Sequence, residues 1–204
     1  MLRPRLLVTG FGPFPGAPDN PTEPLMAALP NEPAEALGAS AFRAVLLPTD
    51  YRRSWSRLRR LYAGFSPDVV VHFGLAARAD RIRVERLGNI RIDRQKPDAP
   101  GFAPSLGRAA RAGAASLQST FPAVDIAAAL NAAGFDAVLS DDAGDYVCNA
   151  TLYRSLAYAP AGRRIGFIHV PPEHVLAAPK LREAAALILR AACRDEAKPA
   201  LRSP

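Results

Sequence analysis

Cysteine is scarce in this chain, with Cys148 and Cys193 the two examples among 204 residues. Two thiols cannot build the framework of bridges that holds small secreted domains together, so both are expected to be free, in a reduced, cytoplasmic protein. Histidine is also rare, at three residues, and no Cys/His pair has the short spacing of a zinc site. Long apolar runs are missing. Leu6-Leu7-Val8 stops at Thr9-Gly10, short of the roughly 7–15 residues of a signal-peptide core, and nothing approaches the roughly 18 needed to cross a bilayer. Lysine is nearly absent: with Lys96, Lys180 and Lys198 the only three, 23 of the 26 basic residues are arginine, and the net charge is +7.

What is present is an apolar half, 49% of the residues, enough for one domain over residues 1–198 with a frayed tail at 199–204. Short apolar runs rich in β-branched residues, Leu6–Thr9, Ala44–Leu47, Val69–Phe73, Ala137–Leu139 and Ile165–Val170, read as strands buried on both faces. Helical segments separate them. Tyr51, Trp55, Leu58 and Tyr62 lie on one stripe of a helix over Tyr51–Phe65, with Arg52, Arg53, Arg57, Arg59 and Arg60 largely off it. Pro122 to Ala133, closed by Gly134, and the run through Leu181, Ala185, Ile188 and Ala192 read as two more helices. This alternation predicts an α/β fold, a three-layer α/β/α sandwich around a mostly parallel, mixed sheet. Residues 94–113, with Pro97, Pro100 and Pro104, form the one long irregular segment.

Cys148 follows a polar turn, Asp141-Asp142-Ala143-Gly144-Asp145, and shares a helical stripe with Leu152 and Leu156. It is therefore expected in the first turn of a helix, where the dipole and free N–H groups favour a thiolate. An arbitrary cysteine on such a stripe is more often a small core residue, so a partner has to be found. A thiol nucleophile needs a histidine, and the histidine needs a group to fix its tautomer. His72 lies inside a strand and reads as a core residue, and His174 after Pro171-Pro172-Glu173 as an exposed loop residue. His169 ends the run Ile165–Val170, at the carboxyl end of a strand, where α/β sheets place their sites.

Four blocks of these residues resemble a known family. Thr9-Gly10-Phe11-Gly12-Pro13-Phe14-Pro15-Gly16 with Asn20-Pro21, then Glu85-Arg86 with Asn89 and Pro97-Asp98, then Gly144-Asp145-Tyr146-Val147-Cys148-Asn149, then Gly166-Phe167-Ile168-His169-Val170-Pro171, are similar in order and spacing to the cysteine-type pyroglutamyl peptidases. The resemblance implies a phosphorylase/hydrolase-like fold and a commonly tetrameric assembly. It implies removal of an N-terminal pyroglutamyl residue through a thioester, without metal or cofactor. It casts Cys148 as nucleophile, His169 as general acid/base and Glu85 as the orienting carboxylate. Phe11 and Phe14 would clamp the lactam ring, with Thr49, Leu75, Tyr146 and Val147 lining the pocket. The backbone N–H of Cys148 would be the first oxyanion donor.

The chain departs from the pattern in three places. Gly74-Leu75-Ala76 stands where many members carry Gly-Gln-Ala, and Gln95-Lys96-Pro97-Asp98 where Arg-Ile-Pro-Asp is usual. Arg91, Arg94 and Gln95 are thus the candidates to complete the oxyanion site. Asp145, three residues before Cys148, should oppose a thiolate unless it faces solvent or caps the helix. Arg83, Arg86, Arg91 and Arg94 are expected to surround Glu85 and its following loop, keeping it ionised and favouring an anionic transition state or acidic peptide ends. Two other readings stand beside this one: a thiol amidase for a different small acyl group, and a basic protein contacting nucleic acid through residues 51–60. Against the latter, a solvated helix face already accounts for those arginines, and the interleaved aromatics of a stacking platform are missing.

Overall fold

The computed structural model describes residues 2–93, 95–102 and 114–194. Its centre is a six-stranded sheet in the order β2 (Ala41–Leu47), β1 (Arg5–Phe11), β3 (Val69–Leu75), β8 (Arg164–Val170), β4 (Ile82–Glu85), β7 (Ala137–Ser140). Every neighbouring pair is parallel except β8 and β4, which run antiparallel. A small antiparallel pair, β5 (Leu87–Asn89) and β6 (Ser116–Gln118), lies apart.

Alternation along the strands assigns their two faces. Leu6, Val8, Val69, Val71, Phe73, Ile168 and Val170 enter one core with α1 (Thr22–Ala28), α3 (Ala123–Ala132) and α5 (Ala178–Cys193). Leu7, Phe11, Val70, Ile165 and Phe167 enter the other with α2 (Arg53–Phe65) and α4 (Val147–Tyr158). Burial on both faces explains why these strands read as continuous apolar runs, and the three layers follow from it.

On α2 the buried face is Ser54, Leu58, Tyr62 and Phe65, while Arg53, Arg57, Arg59 and Arg60, with Arg52 just before the helix, are exposed. The helix starts two residues later than its stripe suggests. Tyr51 and Arg52 form a turn instead, in which Asp50 Oδ1 accepts from the backbone N–H of Arg52 and Arg53 at 2.7 and 2.8 Å. Cys193 is buried at the end of α5, and burial pushes its thiol up to about 11. No helix among the described residues is long and apolar enough to cross a membrane. The expected tail at 199–204 and most of the irregular segment 94–113 lie outside the described residues.

Candidate active site

The reversal of β4 builds the centre of the site. In the antiparallel register Arg83 faces His169 and Glu85 faces Phe167, so the side chains of residues 83, 85, 167 and 169 share the face of the sheet that α4 covers. Glu85 Oε1 lies 2.8 Å from His169 Nδ1, and both groups are buried. With Nδ1 donating to the carboxylate, Nε2 remains for the thiol. Burial alone would lower the imidazole pKa, but the hydrogen bonds and negative charge of Cys148 and Glu85 outweigh it and raise His169 to about 9. Near neutral pH the ring is thus held as an imidazolium between a carboxylate and a sulfur.

Cys148 is the second residue of α4, which begins without a side-chain cap after Tyr146 in extended conformation. Gly144, at φ 81°, gives the preceding turn the left-handed step that other residues rarely take. Gly74, opposite His169 on β3, clears the space for the sulfur: a Cβ there would stand 2.9 Å from Cys148 Sγ and 2.7 Å from the Phe167 ring. Asn149 ties the helix start to the strand after Glu85, its Oδ1 accepting from Asn89 N at 2.8 Å and its Nδ2 donating to the Asn89 and Arg91 carbonyls. Asp98 anchors the next loop, accepting from Tyr51 N and Phe102 N, while Tyr146 Oη donates to the Pro97 carbonyl at 3.0 Å.

Cys148 and His169 open onto a cavity of about 240 Å³, below the roughly 300–1,000 Å³ of pockets for drug-sized ligands and suited to a single small acyl group. Phe11, Phe14, Thr49, Leu75 and Tyr146 line it, as the resemblance implies. Val147 does not; it is buried in the core beneath α4 with Leu58 and Phe167, because its place one residue before Cys148 turns it to the helix's inner face. Arg83, Asn20 and Asp142 line the cavity without having been singled out for it. For Arg83 the signal was available in the alternation Ile82-Arg83-Val84-Glu85, which puts residues 83 and 85 on one face of a strand.

The arginines divide differently from the expectation. Of the three that lie among the described residues, Arg83 alone reaches Glu85, its Nε 3.5 Å from Oε1, while its Nη2 donates to Ser140 Oγ and the Asp142 carbonyl. Arg86 pairs with Asp141 and Arg91 with Asp142, so Arg91 directs its guanidinium to the turn before Cys148 and does not line the cavity. Gln95 is exposed and does not line it either; Arg94 lies outside the described residues. Asp145 neither caps α4 nor faces solvent freely: Lys96 Nζ holds both its oxygens at 2.9 and 3.1 Å. Two of the three departures from the family pattern thus answer each other, the lysine offsetting the carboxylate that would repel a thiolate.

Residues 4–190 match the family model described as pyroglutamyl peptidase. The chain belongs to the pyroglutamyl peptidase family. It is 35% identical over 177 residues to the pyrrolidone-carboxylate peptidase of Halalkalibacterium halodurans, covering 85% of this chain and 86% of that one. With that of Thermococcus onnurineus the identity is 34% over 186 residues, 90% and 91% of the two chains. The crystal structure of pyrrolidone carboxyl peptidase from Thermus thermophilus has the same fold, with a TM-score of 0.82 at 30% identity over 91% of this chain and 99% of that one. Strands β4 and β7 run together against the other four, and that reversal brings Glu85 beside His169.

Proposed function

We propose that this protein is a pyroglutamyl peptidase, a hydrolase that removes an N-terminal pyroglutamyl residue from peptides, and that Cys148, His169 and Glu85 carry the reaction. The observation that supports the residue roles most strongly is the buried 2.8 Å bond between Glu85 and His169 beside a thiol at a helix N-terminus. In this reading Cys148 Sγ attacks the pyroglutamyl carbonyl and the carbonyl π pair moves to oxygen. The N–H groups of the first turn of α4, which have no acceptor within the helix, stabilise that oxyanion. Collapse of the adduct expels the peptide nitrogen, which takes the proton from His169 Nε2 and leaves a thioester. Water, deprotonated by the now neutral His169, then attacks the thioester and regenerates the thiolate–imidazolium pair with release of pyroglutamate. Glu85 keeps its bond to Nδ1 throughout, so that Nε2 always faces the reaction.

The substrate suits the cavity. Pyroglutamate is a neutral lactam without a free α-amine, and Phe11, Phe14 and Leu75 offer it apolar walls with polar groups at Thr49 and Tyr146. Leu75, where a side-chain amide is usual, motivates the second reading, a thiol amidase for a different small acyl group. A cytoplasmic setting fits the two unpaired cysteines, and a homotetramer is what the resemblance implies, to be checked by light scattering.

A panel of acyl-coumarin amides tests both readings. Pyroglutamyl-coumarin amide is expected to be cleaved fastest, with Cys148→Ala inactive. Preference for another small acyl group would favour the second reading, and unchanged turnover in Cys148→Ala would overturn the residue roles.

A further inference from the structure

A second cavity, of about 580 Å³, adjoins the first and shares Phe14, Ala76, Arg83 and Gly144 with it. The two differ in charge. The ionisable lining of the second is Arg78, Arg81, Arg83 and Lys96 against one carboxylate, Asp80. These cations are not equally free. Arg81 is paired with Asp80 at 2.9 Å and Asp136 at 3.6 Å, and Lys96 with Asp145 and Asp93. Arg83 Nη2 is bonded to neutral oxygens, with its one ion-pair contact the 3.5 Å approach to Glu85, already engaged by His169. Arg78 is exposed and has no hydrogen-bond or ion-pair partner among the described residues. It sits in the turn that follows β3, where Ala76 N donates to the Val170 carbonyl and Ala79 N to the Ala76 carbonyl, both at 2.9 Å.

The chemistry indicates what this cavity receives. The leaving nitrogen must depart past His169, which protonates it. Arg83 is the residue directly across from His169 in the sheet register, and it is also the cation that both cavities share. A peptide leaving on that side therefore runs along Arg83 into the second cavity, whereas Phe11, Thr49 and Tyr146 line the first alone and Phe14 stands between the two. An unpartnered guanidinium in a cleft whose other cations are already paired attracts carboxylates and repels ammonium groups.

We propose that this second cavity seats the leaving peptide and that Arg78, with Arg83 and Lys96 beside it, selects peptides carrying a carboxylate next to the scissile bond. That carboxylate is either an acidic side chain or the free C-terminus of a dipeptide. The inference rests on the reading of Cys148 as the nucleophile for pyroglutamyl substrates. Arg78 then acts on leaving-group binding, so its contribution is read in KM more than in kcat.

The test compares kcat/KM for pyroglutamyl-alanine amide, pyroglutamyl-glutamate amide, pyroglutamyl-lysine amide and pyroglutamyl-alanine with a free C-terminus, at low and high salt. At low salt the carboxylate-bearing members are expected to exceed the lysine amide by about fivefold or more, the scale of a few exposed charge contacts. The gap should narrow as salt rises. A gain confined to the free acid identifies the C-terminus as the group recognised, and a gain confined to the glutamate amide identifies the side chain. Arg78→Glu should reverse the order and Arg78→Lys should keep it. Equal rates across the panel, or an order that Arg78→Glu leaves intact, would overturn the proposal while leaving the pyroglutamyl reading standing. Cleavage of no member would instead show that the reading of the catalytic site has failed, and this inference with it.

Discussion

Two buried histidines stand on adjacent strands of one sheet, on the same face, and the protein treats them oppositely. His72 on β3 is bonded to two hydroxyls, Thr9 Oγ1 at 2.7 Å and Ser155 Oγ at 3.1 Å, and burial lowers its pKa to about 3. His169 on β8 is as deeply enclosed, yet Cys148 and Glu85 raise it to about 9. Burial alone makes an imidazole neutral and inert; burial next to negative groups makes it a poised acid. The neutral histidine has a structural task, since its two hydroxyl partners join β1 to α4, the helix that carries Cys148.

The comparison can be broken first at Glu85. Glu85→Gln gives His169 a neutral partner like those of His72, and it should cost about 10²–10⁴-fold in kcat/KM. The alkaline limb of the pH profile, set near 9 by loss of the imidazolium proton, should move to lower pH. An unmoved limb would show that another group sets it.

Gly74→Ala tests the geometry that brings the thiol to His169. The added methyl meets Cys148 Sγ and Phe167, so the cost should be about 1–3 kcal/mol of stability by overpacking, with a drop in kcat. Thermal unfolding together with turnover measures both.

The pH dependence of stability has opposite signs for the two rings. A histidine with a raised folded-state pKa adds stability that is complete below about 6.5 and is lost as pH rises through about 9, as for His169. One with a lowered pKa withholds a proton that the unfolded chain binds, so stability falls as pH drops below about 6.5, as for His72. By pH 5 that loss is about 2 kcal/mol, at 1.36 kcal/mol per unit. His72→Leu should flatten the acid side of a plot of Tm against pH, whatever it does to stability at neutral pH. An acid slope equal to that of the wild type would remove His72 as its source.

The smallest effect is expected at Lys96. Lys96→Ala removes an exposed pair with Asp145, worth at most about 1 kcal/mol, and leaves a carboxylate three residues before the nucleophile without its counter-charge. A modest fall in the rate of thiol alkylation at neutral pH would report it.

Much of this was legible in the sequence, for physical reasons that can be named. Strands buried on both faces leave short, unbroken apolar runs, so β1, β3 and β8 are plain, and the helix start at Cys148 follows from the stripe it shares with Leu152 and Leu156. Strand β4 was not read because it is only four residues long, so its alternation of Ile82 and Val84 with Arg83 and Glu85 is too short to stand out. Its reversal, on which the Glu85–His169 contact depends, has no local signature at all. The antiparallel pair of β5 and β6 and the short helix α1 were missed for the same shortage of length. Glu85 was promoted only by resemblance, since flanking arginines make it look like a surface ion-pair residue. The three arginines after Arg83 were assigned to the site by proximity in sequence. In space Arg86 and Arg91 are spent on Asp141 and Asp142, a pairing across more than fifty residues that spacing could not show.

The central claim, that one fold holds one buried histidine neutral and the other protonated, is tested most directly by NMR titration of the ring carbons in histidine-labelled protein. The account predicts a His169 midpoint near 9 and a His72 signal that does not titrate above about pH 4. Cys148→Ala and Glu85→Gln should each lower the His169 midpoint, the cysteine variant by more. A His169 midpoint at or below 6.5 in the unmodified protein would contradict the account.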